Sequence, residues 1–164
     1  LIVGLMADTH DRLPMVEKAV KRLNEEKVEM VLHAGDFIAP FVVSKLKGLD
    51  AKLIGVFGNN DGDKELLKKK FAEKGFEIYG NFAEVQLGNL TVALLHGHET
   101  EILNALIRAE AYNIIVRGHT HVAETRREGK TLIINPGETC GYLTGKSTIA
   151  LLDTRALEVE IIEL

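Results

Sequence analysis

A carboxylate and an imidazole two residues apart, Asp8 and His10, close the apolar run over residues 1–7. Donors so placed at the carboxyl end of a buried strand can converge on one hard or borderline cation. The pattern recurs: Asp36 follows an apolar run at 28–32, Asn59 one at 51–57, His96 one at 90–95, and His119 with His121 one at 112–116. Each alone reads equally well as a turn residue or a helix cap. Their joint occurrence puts carboxylate, amide oxygen and imidazole where open α/β sheets hold their ligands, outside the carboxyl ends of the strands. That donor set suits Mn, Zn, Fe or Ni, and the one cysteine, Cys140, belongs to none of these turns. Seven such ligands are too many for one tetrahedral ion. They suit two ions sharing a carboxylate, a centre that clamps the attacking and leaving oxygens of a phosphoryl transfer.

The elements that must position these residues follow from hydrophobic spacing. Pro14 sits early in a helix predicted over 14–26, with Val16, Ala19, Val20 and Leu23 on its apolar face. Strands at 28–32 and 51–57 flank a short helix carrying Phe41, Val42 and Leu46, which stops near Gly48. This βαβαβ order predicts a largely parallel sheet. Asp63 is the expected cap of a helix over 64–73, and 76–79 reads as a short strand. Gly88-Asn89 joins strands 82–87 and 90–95 as a two-residue hairpin, so part of the sheet structure is antiparallel. A helix at 99–109 and a strand at 112–116 follow, then strands at 122–125 and 131–134 around a turn at Glu128-Gly129. The last pair is 147–152 and 157–162, where Leu157, Val159 and Ile161 alternate with Glu158 and Glu160 as in a half-exposed strand. The expected architecture is a single-domain, four-layer α/β/β/α sandwich with two mixed sheets and the site at the strand ends.

Composition narrows the function classes. The 164 residues suit one domain burying roughly two-thirds of its extended surface, and 46% hydrophobic with 27% charged residues is ordinary for a soluble protein. The net charge of −4 comes from 24 acidic and 20 basic residues without long blocks, so no nucleic-acid footprint is expected. Divalent ions among the acids would bring the protein near neutrality and let the site attract anions. With Cys140 alone, no disulfide forms within the chain. The sequence opens inside a strand pattern, shows no signal-peptide layout and has no apolar stretch near the roughly 20 residues of a membrane span. A cytoplasmic protein without membrane contact is the expectation.

In order, Asp8-Thr9-His10, Gly35-Asp36, Gly58-Asn59-Asn60-Asp61, His96-Gly97-His98 and Gly118-His119-Thr120-His121 resemble the five blocks of the calcineurin-like metallophosphoesterases. Asn135-Pro136-Gly137 and Gly141-Tyr142-Leu143-Thr144-Gly145 resemble their small prokaryotic phosphodiesterase branch, related to the retromer scaffold subunit. The resemblance spans essentially the whole chain and implies the same sandwich. It implies that Asp8, His10, Asp36 and His121 hold one ion and that Asp36, Asn59, His96 and His119 hold the other, with Asp36 bridging. Family members commonly use Mn, and some use Ni, Fe, Zn or Co. The implied reaction is direct attack on phosphorus by a hydroxide bridging the two ions, with no covalent protein intermediate.

One position departs from the family. Many relatives carry a histidine after the metal-binding Asn, where this chain has Asn60. An amide can position a phosphate oxygen but is no general acid near neutral pH, which favours acidic leaving groups or moves the task to His98. Asp61 is expected to orient a ligand. Arg12 reads as a solvated or capping residue more readily than as a phosphate contact, His33 as a hydrogen-bonded core histidine, and Cys140 and Tyr142 as structural residues near the groove. With no insertion long enough for a cap, an open site acting on small phosphate esters is expected, as a phosphodiesterase; the alternatives are a phosphomonoesterase and a metal-retaining scaffold protein. A homodimer through the last strand or a helix face is also expected.

Overall fold

A computed structural model describes residues 1–164. Two sheets lie face to face. The first contains β1 (Ile2–Met6), β2 (Met30–His33), β3 (Lys52–Gly55), β4 (Glu77–Ile78), β10 (Thr148–Asp153) and β11 (Glu158–Glu163), ordered β11-β10-β1-β2-β3-β4. The second contains β5 (Phe82–Leu87), β6 (Leu90–Leu95), β7 (Ile114–Val116), β8 (Glu124–Glu128) and β9 (Thr131–Asn135), ordered β5-β6-β7-β9-β8. Strands β1 to β4 run parallel, as do β6, β7 and β9, while β10, β11, β5 and β8 pair antiparallel to their neighbours. The central position of β1 and β2 explains their apolar composition, since a strand covered on both faces has no solvent side.

Side-chain alternation separates the layers. Val3, Leu5 and Ala7 point into the space between the sheets with Leu32, Ile54, Leu94, Val116 and Ile134. Met6 and Val31 point outward against α1 (Leu13–Glu25), α2 (Val43–Leu46, entered by a 3₁₀ turn at Pro40–Val42) and α3 (Lys64–Glu73). On the far side, Leu103 and Ile107 of α4 (Thr100–Ala109) cover Ala93, Leu95, Ile115 and Ile133. Helix α1 sits close because Gly4 has no side chain: a Cβ there would lie 2.5 Å from Leu23 Cδ2. These layers are the expected α/β/β/α sandwich, and the hairpin at Gly88-Asn89 has the expected strand bounds.

Three local readings are corrected. Asp63 occupies the N-cap position of α3, but its backbone is left-handed (φ 39°, ψ 54°) and its side chain accepts no cap hydrogen bond. The strand expected at 122–125 is displaced to β8, Glu124–Glu128, an edge strand polar on both faces that carries no alternation to read. In β11, Val159 packs toward the core between the sheets, but Ile161 on the same face is exposed and Ile162 is the buried residue.

Candidate metal centre

The loops that leave β1, β2, β3, β6 and β7 meet at one end of the sandwich. Asp8 is fully buried, and its Oδ2 accepts the backbone N–H of His119 at 3.0 Å. Its other oxygen, Oδ1, has no hydrogen-bond partner, yet the Nε2 atoms of His121, His10 and His96 lie 3.4, 3.5 and 3.8 Å from it. Asp36 Oδ2 faces His10 Nε2 at 3.2 Å and His96 Nε2 at 3.3 Å. The Nε2 atoms of His10 and His96 are likewise buried and without a hydrogen-bond partner. Buried polar atoms that face one another without an aligned hydrogen bond are costly in a protein interior. Convergence of carboxylate oxygens and imidazole nitrogens from several turns is the donor arrangement that a divalent cation satisfies. One ligand atom each from Asp8, His10, Asp36 and His121 falls within a mutual 4.8 Å.

Proton equilibria carry the same imprint. Contact with Asp36, and then with Asp8, pushes the His10 imidazole up to about 9. Burial works to raise the Asp36 carboxyl, but His10 and His96 outweigh it and hold it well below the usual carboxylate range. Burial also opposes charge on His96, and the two carboxylates reverse that, raising it; burial lowers His119.

Neighbouring groups fix the donors in place. Asn60 gives Asp36 two hydrogen bonds, from its backbone N–H to Oδ1 and from Nδ2 to Oδ2, both 2.9 Å. Asp61 accepts the backbone N–H groups of Gly58, Ile38 and Asp36 at 2.7, 2.7 and 3.0 Å, binding the turn after β3 to the turn after β2. His96 Nδ1 lies 2.9 Å from the Ala34 carbonyl, which holds its Nε2 toward the two carboxylates. His121 Nδ1 lies 3.2 Å from Oε2 of the buried Glu138, whose carboxylate also accepts the N–H groups of Leu143 and Thr144. Buried Arg117 donates to the carbonyls of Gly118 and Gly97, and Asn135 Nδ2 donates to Gly118 O and Thr120 Oγ1. Five donor-bearing residues, Asp8, His10, Asp36, His119 and His121, have positive φ between 39° and 73°. Gly58 is required by contact, because a Cβ there would meet Asp36 Oδ1.

The structure thus brings Asp8, His10, Asp36, His96 and His121 into direct proximity. His119 is exposed, with its ring centroid 5.2 Å from that of His96. Asn59 is exposed beside Asn60. His98 has its ring 6.1 Å from His119 and a buried Nδ1 without a partner. Arg12 is not the solvated or capping residue expected: it precedes α1 without a side-chain cap bond, donates to the Cys140 carbonyl and lies over the Tyr142 ring at 5.4 Å. His33 is buried, with Nδ1 accepting the Gly35 N–H at 3.0 Å and Nε2 3.3 Å from Thr9 Oγ1. Glu138 and Arg117 carried no signal in the sequence, where Glu138 is one acid inside a Gly/Pro break and Arg117 one base after a strand.

The profile of the calcineurin-like phosphoesterase superfamily domain matches residues 1–157. The chain belongs to that superfamily. It is 41% identical over 157 residues to a phosphodiesterase of Methanocaldococcus jannaschii, with 95% of each chain covered. Among solved structures it superposes on an archaeal phosphodiesterase with a TM-score of 0.95 and 39% identity over the full length of both chains. Vps29 of Entamoeba histolytica, solved with zinc, shares the fold at TM-score 0.74 and 24% identity, covering 99% of this chain and 91% of that one. As a calcineurin-like phosphoesterase the protein is a metal-dependent hydrolase of phosphate esters, and the cluster at the strand ends offers divalent ions their place. None of its helices is long and apolar enough to cross a membrane.

Proposed function

We propose that the protein is a phosphodiesterase working with two divalent ions, Mn2+ foremost and Ni2+, Fe2+, Zn2+ or Co2+ as substitutes. The observation that carries this reading is Asp8 Oδ1, buried and unbonded, with three imidazole Nε2 atoms within 3.8 Å. Asp8, His10, Asp36 and His121 would hold one ion, and Asp36, Asn59, His96 and His119 would hold the other. The ions, when bound, supply a hydroxide nucleophile at neutral pH and polarise the phosphoryl oxygens. Asp36 is suited to bridge because one of its oxygens faces both His10 and His96, at 3.2 and 3.3 Å. Asn60, bonded twice to that carboxylate, fixes its orientation. His98, whose side chain is 29% exposed beside the cluster, would give the leaving oxygen a proton as its bond to phosphorus breaks.

The test is hydrolysis of diesters, monoesters and cyclic nucleotides after chelation and re-addition of each metal. Metal-restored turnover of diesters above monoesters is expected, with His98→Ala losing rate on poor leaving groups. A folded protein that binds Mn2+ and hydrolyses nothing would instead be a binding protein built on this fold.

A further inference from the structure

Two hollows flank the donor cluster, one bordered by His96 and His98 and the other by His121. On the His96 side, a hollow of about 180 Å³ is walled by Phe82 and Ile102, 37% and 50% exposed, and reaches His98. On the His121 side, a hollow of about 220 Å³ is walled by Val122, 56% exposed, together with Thr144 and Lys146. Neither holds a whole ligand of drug size, for which some 300 Å³ or more is usual. A single ring or sugar fits each. The roomier clefts beside α1–α2 and α2–α3 are lined by none of the cluster residues.

The two hollows differ in chemistry. The His96 side offers an aromatic edge and an aliphatic side chain, with Phe82 held by an edge contact to Tyr112 at 6.0 Å, and its one charged group is Glu99. That lining accepts a flat apolar group and repels an anion. The His121 side has Lys146, exposed and paired with no carboxylate; the nearby Thr144 and Thr148 hydroxyls are engaged, donating to the Lys146 and Pro136 carbonyls. A flexible ammonium there attracts a phosphate or carboxylate.

From these juxtapositions we propose that the site takes an asymmetric diester, with an aryl or nucleobase arm against Phe82 and Ile102 and an arm bearing a second anionic group beside Lys146. This rests on the phosphodiesterase reading above. Because both hollows border histidines facing one carboxylate oxygen, a phosphodiester spanning them lies over the donor cluster. The His96-side arm is then the leaving group, beside His98.

The experiment uses Mn2+-loaded protein and two substrates, thymidine 5′-(p-nitrophenyl phosphate) with and without a 3′-phosphate. Wild type is expected to show kcat/KM at least fivefold higher with the 3′-phosphate, and Lys146→Met to bring that ratio close to one. Phe82→Ala and Ile102→Ala are each expected to raise KM fivefold or more with kcat within twofold; Phe41→Ala, which removes an aromatic 77% exposed and outside both hollows, serves as the control. Calorimetry with thymidine 3′,5′-bisphosphate gives a readout independent of turnover, with at least fivefold weaker binding expected for Lys146→Met. A wild-type ratio of one, or a ratio and bisphosphate affinity unmoved by Lys146→Met, overturns the anionic arm. KM unmoved in both Phe82→Ala and Ile102→Ala overturns the apolar arm. Bisphosphate binding that weakens as expected without turnover of either substrate leaves the anionic arm standing and overturns the phosphodiesterase reading and, with it, the leaving-group arm.

Discussion

The two sheets contribute opposite halves of the site. The turns of the first deliver both carboxylates, Asp8 and Asp36, with His10; the turns of the second deliver only imidazoles, His96, His98, His119 and His121. Their supports have opposite polarity. The acids need donors and find them in backbone N–H groups, His119 for Asp8 and Asn60 for Asp36, with Asp61 gathering three more. The imidazoles of the second sheet need acceptors at Nδ1, and His96 finds the Ala34 carbonyl while His121 finds Glu138. A site assembled this way depends on the polarity of each supporting group.

Substitutions that invert polarity without altering shape break this contrast most cleanly. Asp36→Asn is expected to have the largest effect, at least about a thousandfold in metal-dependent turnover, because it removes the carboxylate facing both His10 and His96; metal titration and steady-state rates check it. Asp61→Asn turns an amide NH₂ toward backbone donors and is expected to cost about 2–3 kcal/mol in denaturant unfolding, where the larger Asp61→Ala leaves the same donors merely unbonded. On the second sheet, Glu138→Gln keeps an oxygen for His121 and is expected to weaken metal binding by roughly tenfold, against roughly a hundredfold for Glu138→Ala. Equal losses for the pair would mean that Glu138 acts through its charge alone.

The smallest effect concerns His33, an acceptor in the first sheet. Its Nδ1 takes the Gly35 N–H, and burial holds its pKa down to about 3 from 6.5. Below pH 6.5 the unfolded chain binds this proton and the folded chain does not, so stability falls on acidification through the window from 6.5 to about 3. The slope is of order 1 kcal/mol per pH unit. Denaturation of chelated protein at pH 7 and pH 5 measures it, and His33→Gln should flatten the dependence.

The sandwich and the ligand-bearing turns were legible because apolar strands repeatedly end at boundaries that hold acids, amides or imidazoles. Asp8, Asp36, His96 and His119 all stand at such boundaries. Buttressing residues have no such frame. Glu138 sits between Gly137 and Thr139, a setting typical of any surface turn, and only the folding back of 141–145 buries it against His121. Arg12 looked solvent-directed because nothing local shows that Cys140, far along the chain, would come to lie beside it. The bounds of β8 escaped for a related reason, since an edge strand with Arg126 and Arg127 outside the core needs no apolar alternation. The pairing of Asn60 with Asp36 was equally hidden, because the residue type at position 60 does not name the partner it meets.

The left-handed backbone at Asp8, His10, Asp36, His119 and His121 has a mechanical meaning. An L-residue with a side chain adopts that conformation at a cost of about 1–2 kcal/mol, and five such residues crowd into one end of the molecule. Hydrogen bonds to Asp8, Asp36 and Asp61 tie these turns together, and divalent ions bound across them would add to that hold. Stripping divalent ions would remove that added hold, so amide exchange should accelerate first at 8–11, 36–38 and 119–121 while the strands of the two sheets stay protected.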